Sequence, residues 1–145
     1  MTEAEANLVD VLREQAMPIV SLVAEEGQKI VGHILFSPVA LSGHPGEKIM
    51  GLAPMAVLPE FQRCGVGTQL VKAGLKSCAM LGCAAIVVLG HPEFYPRFGF
   101  LPAVKYGVEC DYDVPPEVFM ALELQSAALA GKAGKVEYHS AFASI

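Results

Sequence analysis

The sequence predicts a mixed α/β or α+β fold, one sheet with helices packed on it, and three observations carry that prediction. Apolar residues recur at helical spacing in two stretches, residues 3–15 and 65–81. Runs of strand length surround the second stretch and follow it. A turn containing two glycines joins one of these strands to the second helix.

In residues 3–15, Leu8, Val9, Val11 and Leu12 form the apolar stripe, with Thr2 as cap and Glu5 completing a capping box. Pro18 ends that helix, and residues 19–24 and 29–36 read as strands of a hairpin closed by Glu25-Glu26-Gly27-Gln28. Pro38 and the stretch 42–46 (Ser-Gly-His-Pro-Gly) interrupt the pairing as an exposed loop. A third strand spans residues 49–58, with Pro54 marking a bulge or a broken ladder. The second helix follows, carrying Val66, Leu70, Val71, Leu75 and Cys78 on one face and Gly82 as its stop. Residues 83–89 are continuously apolar, as in a central strand covered on both faces. A helical turn is expected over 92–98, and strands over 100–103, 107–112, 119–124 and 135–138. No repeat, low-complexity tract or linker divides the 145 residues, so residues 1–145 are read as one domain.

A chain of this length buries roughly 70% of its unfolded surface without a staple. The hydrophobic share is 53% and the mean hydropathy +0.45, yet no run approaches the roughly 20 apolar residues of a membrane span. The acidic N-terminus lacks the pattern of a secretory signal, which makes the cytoplasm the expected compartment. The four cysteines show neither C-x-x-C pairing nor zinc spacing, so they are read as free thiols and no metal is expected. A net charge of −5 argues against a general nucleic-acid binder.

The chemistry lies in the strand–turn–helix unit: Met55, Ala56 and Val57, then the turn Gln62-Arg63-Cys64-Gly65-Val66-Gly67-Thr68, then the helix. A helix N-terminus leaves unpaired N–H groups and a partial positive charge, which suits a pyrophosphate. Gly65 and Gly67 allow the backbone to approach such an anion, and Arg63 adds a cation. Taken alone, a G-x-G at a helix start is also compatible with a tight turn that binds nothing. No Gly-Lys-Ser/Thr follows, which excludes a nucleoside-triphosphate loop, and the third glycine of a dinucleotide fingerprint is missing.

Val57-x-Pro59-x-x-Gln62-Arg63-x-Gly65-x-Gly67 resembles the Q/R-x-x-G-x-G/A motif of the GCN5-related N-acetyltransferase (GNAT) family. A second block, Tyr95-Pro96-Arg97-Phe98-Gly99-Phe100, resembles the family's Tyr-x-x-x-Gly-Phe element, most closely in a small bacterial branch. The resemblance runs from about Leu22 to the C-terminus. It implies the acyl-CoA N-acyltransferase fold, a central, mixed and mostly antiparallel sheet flanked by helices. It further implies that Met55, Ala56 and Val57 pair with the pantetheine arm of acetyl-CoA, that the turn from Gln62 binds the cofactor with Arg63, Cys64, Gly65, Val66, Gly67 and Thr68 holding the pyrophosphate, and that Tyr95 protonates the departing thiolate. The implied reaction is direct attack of a primary amine on acetyl-CoA in a ternary complex.

Tyr95 reads equally as a packed aromatic beside Phe94, Phe98 and Phe100. For a general base the sequence leaves Glu60, His33, His44, His91, Glu109 and Asp111 open, with a water chain as a further route. The family's usual first strand and helix have no counterpart ahead of residues 3–15. That departure leaves three readings open: a shortened chain, an edge completed by a partner or a homodimer, or lost acceptor recognition. The competing functional reading is an acyl-CoA-binding regulatory or interaction protein with little or no transferase activity.

Overall fold

The computed structural model describes residues 6–10 and 18–139. Residues 6–10 are helical, within the first predicted helix; the remainder of that prediction lies outside the described residues. The strands are β1 (Val20–Glu26), β2 (Lys29–Leu41), β3 (Ile49–Val57), β4 (Ala85–Leu89), β5 (Leu101–Pro102), β6 (Val108–Cys110), β7 (Phe119–Glu123) and β8 (Gly134–Glu137). One long helix, α1 (Val66–Met80), stands between β3 and β4.

The strands form one sheet in the order β5-β7-β4-β3-β2-β8-β6, with β1 hydrogen-bonded to β2 outside that path. Five pairings are antiparallel, and two, β3 with β4 and β6 with β8, are parallel. The sheet is therefore mixed and mostly antiparallel, as the family resemblance implies.

Two apolar clusters divide the core by face, following the period of two along each strand. Ile34 and Phe36 of β2, Ile86 and Val88 of β4 and Met120 of β7 pack toward Leu70, Val71 and Cys78 of α1. On the opposite face Val39 and Leu41 of β2, Ala85 and Val87 of β4, and Phe119 and Ala121 of β7 meet Val108, Leu129 and Val136. Leu35 points to this second face and is covered by Leu8 and Val9 of the helical segment. Each fully buried side chain of this size contributes about 1.5–3 kcal/mol.

α1 begins where a left-handed residue, Gly65 (φ 85°), turns the chain, and Gly82 (φ 81°) ends it. The Lys48 ammonium donates to the Leu81 carbonyl at 2.8 Å, placing a cation at the negative end of the helix. Gly74 leaves room for the Phe36 ring of β2, because a Cβ there would lie 2.1 Å from Phe36 Cε1.

Two expectations need correction. β2 does not stop before Pro38 but continues to Leu41. Pairing with β1 ends at Phe36 and pairing with β8 begins at Ala40, so Pro38 falls where β2 has a partner on one side only and a missing N–H is tolerated. The central strand starts at Ala85 rather than at residue 83; Cys83 still closes the end of α1, its N–H donating to Cys78 O at 3.1 Å. The break expected at Pro54 is present. Ile34 pairs with Met55 but Phe36 pairs with Leu52, so Ala53 and Pro54 together oppose Leu35, and the Ala53–Pro54 peptide is cis.

Candidate active site

β3 and β4 pair over only three positions, Ile49–Ala85, Met50–Ile86 and Gly51–Val87. Beyond Gly51 the two strands diverge, and the bulge at Ala53 and Pro54 turns β3 within the diverging part. The gap opens into a cleft of ≈ 1520 Å³. Its walls include Met55, Ala56 and Val57 from β3 and Leu89 and Gly90 from the end of β4. The cleft reaches both faces of the sheet, because Tyr95 belongs to the cluster on the α1 face while Tyr138 packs with the opposite cluster, and both line it.

At the α1 face the mouth is the turn following β3. A single-turn 3-10 helix, Pro59–Phe61, brings the chain around. Gln62 then folds back, its Nε2 donating to Val57 O at 3.0 Å, which ties the turn to the strand end. Arg63 (φ 65°) and Gly65 (φ 85°) both adopt left-handed conformations. Alternating conformations of this kind gather successive N–H groups into an anion-binding concavity. The first helical bond runs from Gln69 N–H to Gly65 O, and no side chain caps the helix. The first-turn amides are thus left to solvent or a ligand. A Cβ at Gly65 would meet nothing within 4 Å, so glycine serves conformation there rather than clearance.

Of the residues expected to hold the cofactor, Met55, Ala56, Val57, Gln62, Arg63, Gly65, Gly67 and Thr68 line the cleft. Cys64 and Val66 do not. Cys64 is exposed with its thiol toward Gln62 O at 3.6 Å, and Val66 packs against the core.

Tyr95 stands at the open end of the gap on a 3-10 turn, Tyr95–Phe98. Its ring lies so close to Gly90 that a Cβ there would be 2.4 Å from Cε2. Phe94 and Phe100 meet it edge-on, with centroids 5.0 and 5.6 Å away. The ring is only 5% exposed, and burial pushes the phenol up to about 12. Tyr95 is thus a packed aromatic that also lines the cleft, with its phenol held protonated by burial.

Among the base candidates, His91 lines the cleft. Glu60, His44, Glu109 and Asp111 are not part of its wall. His33 is buried within the β1–β2 pair, its Nε2 3.2 Å from Ser21 Oγ. Sequence reasoning passed over Glu93 and Arg97 on the α1 side and Tyr112 and Tyr138 on the other. The aromatic pair was not foreseeable, since Tyr112 and Tyr138 are brought to 5.8 Å only by the pairing of β6 with β8. Among the described residues, no group of three or more His, Cys, Asp or Glu side chains is arranged to hold a metal, and no helix is long and apolar enough to cross a membrane.

Comparison with known proteins agrees with this fold. The family described as the acetyltransferase (GNAT) domain matches residues 19–102. The uncharacterized N-acetyltransferase YhbS of Escherichia coli K12 is 40% identical over 143 residues, covering 97% of this chain and 84% of the relative. The crystal structure of the E. coli YhbS protein in complex with CoA superposes with a TM-score of 0.89 at 37% identity, covering 98% of this chain and 79% of that one. A GNAT family acetyltransferase from Brucella melitensis in complex with acetyl-CoA gives a TM-score of 0.77 at 34% identity, covering 98% and 80%.

Proposed function

The chain belongs to the GNAT family of N-acetyltransferases, and from that premise we propose that it moves an acetyl group from acetyl-CoA to a primary amine by direct attack within a ternary complex. The observation that carries the reading is the cleft between β3 and β4, open to both faces of the sheet and flanked at one mouth by the uncapped start of α1. A cofactor entering from the α1 face and an amine entering from the other meet in the gap, so no acyl-enzyme is needed. Relatives with the same fold were solved with CoA or acetyl-CoA bound.

In this reading the amides of residues 63–68, the helix dipole and Arg63 bind the diphosphate. The edge of β3 from Leu52 to Val57, which has no β4 partner, offers backbone groups to the pantetheine amides and to the thioester carbonyl. Acetyl-CoA supplies the activated acyl group. A neutral amine forms the new C–N bond as the C–S bond breaks; the ammonium proton leaves to water or His91, and the thiolate takes a proton from Tyr95. The elevated phenol stays protonated at neutral pH and is available as a donor. Positioning of the two reactants provides most of the acceleration.

Excess acetyl-CoA should raise the melting temperature by several degrees, since a ligand at 100 times its Kd adds about 2.7 kcal/mol. Release of free CoA thiol should then follow addition of an amine from a broad panel. An unchanged melting curve would sink the reading; binding without transfer to any amine would favour a regulatory acyl-CoA-binding protein.

A further inference from the structure

We propose that Arg97 binds the 3′-phosphate on the ribose of coenzyme A, making the site selective for coenzyme A over forms that lack this group. The inference rests on the acyl-CoA reading above and extends it to a residue of the second block to which the mechanism gives no part.

Two permanent cations, Arg63 and Arg97, line the cleft among the described residues. Coenzyme A carries two separate anionic groups, a diphosphate and a phosphomonoester whose charge approaches −2 at neutral pH. The amide concavity at the start of α1 already suits the diphosphate, and Arg63 lies within that turn. One anionic group and one arginine remain. No carboxylate among the described residues lies within ion-pair distance of Arg97.

Arg97 is also held where such a phosphate would pass. Its guanidinium lies over the ring of Phe94, 4.9 Å from the centroid. Phe94 in turn abuts the diphosphate turn, its Cζ standing 3.7 Å from where a Cβ on Gly67 would be. The cation is thus one ring away from the start of α1. This contact holds the guanidinium over the ring, and the exposed side chain presents a planar fork of N–H donors that matches two phosphate oxygens. The ring contact restricts the side chain before any ligand arrives, which lowers part of the ordering cost of binding.

Calorimetric titration of the full chain with CoA and with 3′-dephospho-CoA tests the assignment. The unsubstituted protein should prefer CoA by about tenfold or more, as expected for one charge-assisted contact. Arg97→Gln should erase that preference while leaving dephospho-CoA affinity within about twofold; Arg97→Lys should retain part of it. Arg63→Gln should weaken both ligands in proportion. An arginine that merely covered Phe94 would change both affinities together. Equal binding of both ligands by the unsubstituted protein, proportional weakening by Arg97→Gln, or loss of the preference in Arg63→Gln instead would each overturn the proposal while leaving acyl-CoA binding intact. Failure of both ligands to bind would instead refute the acyl-CoA reading itself.

Discussion

At Tyr95 the demands of packing and of chemistry fall on one ring. Its faces and edges are filled by Phe94, Phe100 and Gly90, so Tyr95→Phe keeps the packing and removes only the hydroxyl. That variant should lose about 100-fold in kcat, the usual scale of one acid–base group, with little change in KM for acetyl-CoA. Retained turnover would remove the proposed acid role. Gly90→Ala should act through the same ring, since the new methyl has no room unless Tyr95 moves; kcat should fall more than stability does. Tyr95 was legible because it begins a recognisable block. Arg97 stands in the same block but went unread, because an arginine on a surface turn ordinarily signals solvation, and its stack on Phe94 exists only after the 3-10 turn forms.

Among the elements, α1 was the most legible. Its apolar spacing placed it at residues 65–81, and the helix spans Val66–Met80. The role of Gly74 was hidden, since nothing in sequence distinguishes a glycine that admits Phe36 from an ordinary weak helix former. Gly74→Ala should destabilise the protein by about 1–3 kcal/mol despite alanine's better helix propensity, through overpacking against Phe36; a denaturant midpoint above the unsubstituted value would contradict this. At the other end, Gly65→Ala must place a side chain at φ 85°, costing about 1–2 kcal/mol and weakening CoA binding as the amide concavity deforms. Strand limits were less legible where pairing partners decide them. β2 passes through Pro38 because of where β1 stops and β8 begins.

For the molecule as a whole, buried phenols set an alkaline limit. Burial raises Tyr95 to about 12, and Tyr138 is raised for the same leading reason. An unfolded tyrosine loses its proton near pH 10. The native state therefore binds more protons than the unfolded state above that point, and stability is full below pH 10 and falls as pH rises toward 12. Tyr95 alone should account for about 2–3 kcal/mol across that window. Chemical denaturation at pH 8, 10 and 11.5 checks the direction; a flat profile would show that these rings are hydrated. The division of the core into two faces was implicit in the strand alternation, and the broken ladder expected at Pro54 lies where β3 and β4 part; how far the cleft runs through the sheet was not legible, because that depends on where the two strands cease to pair.

A ladder that ends at Gly51 and Val87 leaves the middle of the molecule with an interior seam half open. Deuterium should enter the β4-facing amides from Leu52 to Val57 far sooner than those of Ile49 to Gly51, though all belong to one strand. Saturation with the thioester donor should slow that uptake to the pace of the closed half, the ligand standing in for the neighbour that β3 lacks.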